Sequence, residues 1–167
     1  TQLRLVVRHE ILIGVGRMKY VVEAGMLTKP VPFPLLEVHR GNETGSSGEY
    51  YFNHMNYMEF ASDAFVNLYA EYGMNGFFFN KIWLLRKLQL RELLTFKACY
   101  GRMLNDNNSI LTLPQNTFEL NMPYMEAGIG VTNLLKFIRL EYIWRLNYLD
   151  HSDISKKGLY IRFNFEF

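Results

Sequence analysis

The stretch Ile138-Arg-Leu-Glu-Tyr-Ile-Trp-Arg-Leu-Asn-Tyr148 alternates between two kinds of side chain at almost every step. One set is apolar or aromatic, and the other set, apart from Ile143, is charged or polar. Successive side chains of a β-strand point to opposite faces, so a period of two indicates a strand with one apolar and one charged face. Residues 138–148 are therefore predicted to form a strand.

The same alternation recurs along most of the chain and predicts about seven strands. They lie at residues 2–10, 17–27, 58–72, 90–103, 124–132, 138–148 and in the last ten residues. Short and long connections broadly alternate, which favours an antiparallel, all-β fold. The exception is the apolar connection around residues 77–88, whose spacing fits a short helix packed under the barrel better than a tight turn. No internal repeat or interdomain linker interrupts the pattern.

Composition excludes several classes of protein. The chain has 167 residues, of which 49% are hydrophobic, and its formal charge of +2 is too small and scattered to favour nucleic acid. No stretch approaches the ~18 uncharged apolar residues of a membrane helix, which excludes a helical membrane protein. The single cysteine, Cys99, excludes an internal disulfide framework and leaves the redox compartment open.

Alternation leaves open whether the apolar face points into a core, as in a soluble lipocalin-like barrel, or out into lipid. The polar face favours lipid, because it carries charges of both signs in mid-strand, as a hydrated lumen crossed by ion pairs would. This predicted lumen charge network comprises Glu59, Asp63, Arg91, Lys97, Glu126, Arg139, Glu141 and Arg145.

Two aromatic features point the same way. Tyr142, Trp144 and Tyr148 lie on the apolar face near a strand end, where rings meet lipid headgroups, and we predict that they face lipid. The chain ends on an alternating run with Phe163, Phe165 and Phe167 on one face. This run resembles the C-terminal strand signal that outer-membrane barrels present to their assembly machinery. The sequence therefore predicts an antiparallel transmembrane β-barrel.

Catalytic and metal sites are not predicted. The four histidines lack paired metal-ligand spacing, no serine has the strand-to-helix context of a hydrolase, and Cys99 has no histidine placed to activate it. The carboxylates of the polar face alternate with Arg and Lys, so a charge network explains them more simply than an acid/base pair. We expect no catalytic residue, no metal and no cofactor.

From Pro34 onward the chain resembles a Bacteroidetes-type family of outer-membrane proteins of unknown function. The resemblance rests on Leu35-Leu-Glu-Val-His-Arg-Gly-Asn-Glu-Thr44, Phe52-Asn-His-Met-Asn-Tyr-Met-Glu-Phe-Ala-Ser-Asp63, Asn75-Gly-Phe-Phe-Phe-Asn-Lys-Ile82 with residues 88–92, and Tyr124-Met-Glu-Ala-Gly-Ile-Gly130 with Trp144-Arg-Leu146. It implies a carboxypeptidase-like regulatory domain ahead of the barrel, a β-sandwich without implied peptidase activity.

The chain is more distantly similar to the BamA/TamA-like assembly barrels, in which a loop bearing Val-Arg-Gly precedes five final strands. Here His39-Arg40-Gly41 lies in a long loop with about five strands after it. The similarity implies that the loop folds inward and that Arg40 pairs with the wall. The matching strand, Phe96-Lys-Ala-Cys-Tyr-Gly101, lacks the usual aspartate, which leaves Glu59, Asp63, Glu126 and Glu141 as candidate partners. An ordinary Gly/Asn surface turn is an equally good interpretation.

Together these features predict that residues 1–167 are the C-terminal portion of an outer-membrane barrel, with upstream strands, a regulatory domain and a signal peptide before Thr1. The expected role is structural or in assembly or translocation, without catalysis. A solute channel or receptor, and a soluble barrel that binds an apolar ligand, remain alternatives. Expected partners are outer-membrane lipid, the barrel assembly machinery and other outer-membrane proteins, and the expected location is the bacterial outer membrane. The sequence identifies no substrate.

Overall fold

The fold is a single antiparallel sheet with very little helix. A computed structural model describes residues 2–105, 113–151 and 153–163. Seven long strands follow one another across the sheet in the order β1-β2-β5-β6-β7-β8-β9, each paired antiparallel with the next. They are β1 (Gln2–Ile13), β2 (Gly16–Leu27), β5 (Ala64–Gly73), β6 (Arg91–Arg102), β7 (Tyr124–Leu134), β8 (Ile138–Arg145) and β9 (Lys157–Phe163). The short strands β3 (Glu37–Val38) and β4 (Ala61–Ser62) form a separate pair. The predicted all-β, antiparallel class and the seven strands are confirmed.

The two ends of the sheet differ in their connections. At one end, here called the turn end, the chain reverses through residues 14–15, 74–90 and 135–137. At the other, here called the loop end, the connections span residues 28–63, 103–123 and 146–156. Within the described residues the sheet stays open, with β1 and β9 as its edge strands.

Two predicted strands are too long. The strand predicted over residues 58–72 begins only at Ala64, and the strand predicted over residues 138–148 ends at Arg145. Residues 61–62 instead form β4, which pairs with β3, and Met58 and Tyr148 have φ angles of 59° and 53°. Such positive φ values are incompatible with an extended strand, so both residues turn the chain away from the sheet.

The two faces of the sheet have opposite environments. Along β6, Thr95, Lys97 and Cys99 are buried, whereas Leu94 and Phe96 between them are exposed. The pattern continues across β5, β7, β8 and β9, so that one face, the charged face, is covered and the other, the apolar face, is open. Soluble sheets normally bury the apolar face.

The charged face is covered by the long connection between β2 and β5, residues 28–63, here called the inner loop. Phe52, Met55 and Phe60 of this loop are fully buried and form a core cluster with Tyr69 of β5 and Tyr124 of β7. The Phe52 ring lies 5.4 Å from each of the two tyrosine rings, centroid to centroid. Aromatic packing of this kind fixes the position of the loop on the sheet.

The predicted helix near residues 77–88 is present but is not packed under the sheet. It consists of a 3₁₀ turn at Phe79–Lys81 and helix α1 at Trp83–Lys87. Neither contains a buried residue, and Trp83 is 69% exposed. The segment lies at the turn end of the sheet and away from the charged face. No helix in the described part of the chain is long and apolar enough to cross a membrane.

Candidate functional site

The interface between the inner loop and the charged face concentrates the buried charges of the protein. Most members of the predicted network lie here, but they contribute in different ways. Some pair across the interface, some hold backbone groups of the loop, and one lies at the rim of a cavity.

The strongest link between loop and sheet joins Arg145 of β8 to Glu59 of the inner loop. The guanidinium Nη2 lies 2.6 Å from Glu59 Oε1 and Nη1 lies 3.0 Å from Oε2, a bidentate pair. Burial would raise the pKa of the Glu59 carboxyl, but hydrogen bonds from Arg145 and the Asn56 N–H outweigh it and hold the pKa below its usual value. Because Glu59 lies on the loop and not on a strand, the pair joins the two elements across the interface.

Glu126 of β7 holds the loop backbone. Its carboxylate accepts hydrogen bonds from the backbone N–H groups of Asn53, at 2.9 Å, and His54, at 2.6 Å. The hydroxyl of Tyr124 donates a third, at 2.6 Å. A buried carboxylate needs such donors to replace water, and here they come from two consecutive residues of the loop.

Lys97 of β6 has the complementary role. Its ammonium donates to the backbone carbonyls of Gly48 and Tyr51, the latter at 2.7 Å. The wall of the sheet therefore presents an acceptor in Glu126 and a donor in Lys97 to neighbouring stretches of the same loop. These contacts fix the loop's position along the sheet as well as its distance from it.

A second ionic cluster lies closer to the turn end. Arg139 of β8 forms a bidentate pair with Glu71 of β5, at 2.7 and 2.9 Å, and also contacts Glu141 of its own strand at 2.7 Å. Ser47 of the inner loop donates to Glu141. Sequence analysis left Glu71 and Ser47 out of the network, although Glu71 occupies a polar-face position of β5 and its alternation phase could have identified it.

Asp63 and Arg91 lie at opposite ends of the sheet. The carboxylate of Asp63 accepts the backbone N–H groups of Leu104 and Asn105 at 2.7 and 2.8 Å, which ties the end of the inner loop to the connection after β6. Arg91 is exposed at the start of β6 and lines a polar cavity of about 400 Å³ at the turn end. Other cations around this cavity are Arg17, Lys19, Lys136 and Arg139.

The His39-Arg40-Gly41 motif lies in the inner loop, but Arg40 has a partner that the sequence did not suggest. Its guanidinium lies 3.6 Å from Glu23 of β2 and donates to the carbonyl of Tyr50 at 3.5 Å. The four carboxylates that were its candidate partners are occupied by the contacts described above. Arg40 is also partly exposed, so its ion pair with Glu23 is a weaker tie than the one between Arg145 and Glu59.

His39 and Gly41 are more tightly enclosed than Arg40. The His39 ring contacts Asn67 Oδ1 at 3.2 Å and Ser62 Oγ at 3.0 Å, and burial lowers its pKa to about 4. A Cβ at Gly41 would lie 2.2 Å from the carbonyl oxygen of Asn56, so only glycine allows this close passage of the backbone. His39 was missed as a site residue by sequence analysis.

The predicted lipid-facing aromatics separate into two groups. Tyr142 and Trp144 share the apolar face of β8, with ring centroids 4.8 Å apart, and Phe163 is exposed on the same face in β9. Tyr148 instead packs against Phe60 of the core cluster, at 4.9 Å between centroids, because the chain has already left the strand. Its predicted orientation was wrong. Phe165 and Phe167 lie outside the described residues.

The arrangement is suited to holding a loop in place. In the ranges that the structure describes, no group of three or more histidine, cysteine or acidic side chains is placed to hold a metal ion. Cys99 is buried in the core cluster beneath the inner loop. The carboxylates that face the loop are engaged with guanidinium groups, backbone amides or hydroxyls.

Comparison with known proteins places the chain in a family. Residues 1–111 match the C-terminal domain of a family of unknown function, DUF5686. No curated protein is similar enough to count as a match. The matched segment includes β1, β2, β5 and β6, the whole inner loop and the 77–88 segment. Since it covers two thirds of the chain, this protein belongs to the family of unknown function defined by the DUF5686 C-terminal domain.

Proposed function

We propose that this protein is an integral β-barrel protein of the bacterial outer membrane, with its lumen plugged by the inner loop. Its role would be structural or in the assembly or translocation of other molecules, without catalysis. The observation that carries the proposal is the reversed burial of the sheet, in which the charged face is covered and the apolar face is open.

Exposed apolar side chains recur on the same face of neighbouring strands. Leu94 of β6 and Ile129 of β7 are direct cross-strand partners, Val66 lies on the same face of β5, and each of the three is between 41% and 52% exposed. In water, every Å² of apolar surface left uncovered forgoes on the order of 25 cal/mol of stabilisation by burial, whereas lipid solvates such a surface. This burial pattern favours the membrane over the alternative of a soluble barrel with an apolar ligand inside.

Strand length and the edges of the sheet support the same proposal. The strands β1, β2, β5, β6 and β7 have 10 to 12 residues, enough for a tilted crossing of a bilayer core. The edge strand β1 is exposed on both faces along nearly all its length. Lipid does not tolerate unpaired strand edges, so we propose that further strands pair with β1 and β9 to close the barrel.

The contacts of the inner loop support a plugged barrel over an open channel. A bidentate ion pair, Glu126 and Lys97 hold the loop against the sheet. These contacts favour a plug, either permanent or released by regulation, over a gate that moves freely. A solute channel remains a second candidate because of the cation-lined cavity at the turn end. Outer-membrane lipid and the barrel assembly machinery are the proposed partners.

Membrane insertion can be tested by spin labelling of the complete protein in lipid vesicles. Labels at Leu94 and Ile129 on the apolar face should collide mainly with oxygen, which is soluble in lipid. A label at Tyr57, an exposed residue of the inner loop, should collide mainly with a water-soluble nickel chelate. Equal accessibility to nickel at all three positions would contradict the proposal.

Conductance separates the plugged barrel from the channel. In planar bilayers the wild-type protein should conduct poorly, and Glu59→Gln should increase conductance because it weakens the link between loop and wall. Large, stable conductance in the wild-type protein would instead favour the channel.

A further inference from the structure

We propose that the 77–88 segment is an interfacial anchor that binds anionic phospholipid at the turn end of the sheet. This inference rests on the proposed function, because it needs the apolar face to lie in lipid. It assigns a lipid-binding role to a segment that takes no part in the buried charge network.

The segment presents a large apolar surface that nothing covers among the described residues. Six of its apolar side chains are exposed, from 41% for Phe77 to 69% for Trp83. The set consists of Phe77, Phe78, Ile82, Trp83, Leu84 and Leu88. An exposed surface of this size beside a folded sheet indicates a binding surface.

The charge of the segment specifies the partner. Lys81, Arg86 and Lys87 are exposed, and no acidic residue occurs between Met74 and Leu90. The Lys81 ammonium lies 4.7 Å from the centroid of the Phe77 ring, and that of Lys87 lies 5.6 Å from the Trp83 ring. Aromatic rings interleaved with cations are suited to the boundary between acyl chains and anionic headgroups.

The position of the segment is set by Glu92 of β6. Glu92 belongs to the apolar face, two residues before Leu94, yet it is buried because the segment folds over it. Its carboxylate accepts the backbone N–H groups of Phe78 and Phe79 at 2.8 and 2.5 Å. This contact holds the segment on the side of the sheet that is proposed to face lipid, and away from the charged face.

The turn end identifies the leaflet. Outer-membrane barrels have short connections on the periplasmic side and longer loops outside the cell. The anchor would therefore lie in the periplasmic leaflet, where its cations would meet phospholipid phosphates. The alternative partner is an acidic surface of another protein. Fluorescence quenching distinguishes this partner from anionic phospholipid.

The test uses the complete protein in phosphatidylcholine vesicles with bromine atoms on the acyl chains, with or without phosphatidylglycerol. Two versions each retain one tryptophan, either Trp83 or Trp144 of the apolar face. We expect quenching of both, with Trp83 quenched most by bromine close to the headgroup. Phosphatidylglycerol should increase the quenching of Trp83 further.

A matched pair of variants tests the role of charge. Lys81→Gln/Arg86→Gln/Lys87→Gln should lose the increase caused by phosphatidylglycerol. Lys29→Gln/Lys156→Gln/Lys157→Gln, which removes three exposed charges from the loop end, should keep it. Quenching of Trp144 without quenching of Trp83, as expected if a protein is the occupant, would overturn the anchor and leave the barrel standing. Absence of quenching at both positions would overturn the proposed function and the anchor with it.

Discussion

At the scale of single residues, the fit of the inner loop depends on a few closely enclosed positions. Gly41 passes within van der Waals contact of the backbone of Met55 and Asn56, and His39 fits between Asn67 and Ser62. Neither residue forms an ion pair. Steric and hydrogen-bonding constraints of this kind explain how a loop with few regular elements keeps one conformation.

Gly41→Ala should loosen the inner loop. The new Cβ would meet backbone oxygens that cannot move aside independently, and overpacking of this kind costs about 1 to 3 kcal/mol in the free energy of unfolding. Urea unfolding of the complete protein in detergent, together with protease cleavage of the loop, measures the effect. Gly45→Ala is the control, because a Cβ there has no atom within 4 Å. Equal effects of the two substitutions would contradict the described packing.

His39 should make the loop sensitive to acid. Its pKa is about 4 in the folded protein against 6.5 for an ordinary histidine, so between these values the unfolded chain binds a proton that the folded protein excludes. Its contribution to stability is therefore complete above pH 6.5 and decreases as the pH falls towards 4. Between pH 7 and pH 5 the loss should be about 2 kcal/mol.

Unfolding titrations at the two pH values test this dependence. His39→Gln should reduce the difference in the free energy of unfolding between pH 7 and pH 5. An identical pH dependence in the wild type and His39→Gln would exclude His39 as its source.

At the scale of elements, the inner loop and β8 behave as two surfaces joined by buried charge. Arg145 reaches Glu59, which is 86 positions away in sequence, and its remaining donors meet the backbone carbonyls of His54, Asn147 and Tyr148. The charge is thus fully solvated by protein groups. Removal of one partner leaves the other buried without compensation.

Glu59→Gln should destabilise the loop by about 3 to 5 kcal/mol, because Arg145 then loses its bidentate ion pair in a buried setting. Glu10→Gln provides the control, since the pair between Glu10 and Arg17 at 2.8 Å is exposed and worth less than about 1 kcal/mol. Heat-modifiable gel mobility and urea unfolding measure both variants. The double variant Glu59→Leu/Arg145→Met should recover much of the loss, and failure of the single variant to exceed the control would contradict a buried pair.

At the scale of the whole molecule, the burial of the two faces is reversed, so the stability of the sheet depends on the solvent that surrounds its apolar face. In the proposed barrel, lipid would cover the apolar face, while the inner loop covers the charged face. A substitution on the apolar face should therefore have opposite consequences in membrane and in water, which separates the proposed barrel from a soluble one.

Ile129→Arg places a charge at the centre of β7 on the apolar face. In a bilayer it should cost about 2 to 4 kcal/mol if this position lies near the midplane, and Val15→Arg at the turn end should cost about 0 to 1 kcal/mol. Folding from urea into lipid vesicles, followed by gel mobility, gives both values. Equal tolerance of the two substitutions would contradict a lipid-facing β7.

Local periodicity was sufficient to predict the all-β class, the seven strands, their two faces and the short helix. The reason is covalent geometry, since an extended backbone turns every second side chain to the same face regardless of what lies beyond the strand. The strand ends at Ala64 and Arg145 were missed because the alternation shows neither the pairing of residues 61–62 with β3 nor the positive φ at Tyr148. The partners of the charges depended on folding of the inner loop. Arg40 contacts Glu23 and Arg145 contacts Glu59 because aromatic packing of Phe52 and Phe60 sets where the loop lies, and contacts between residues so distant in sequence follow from three-dimensional packing alone.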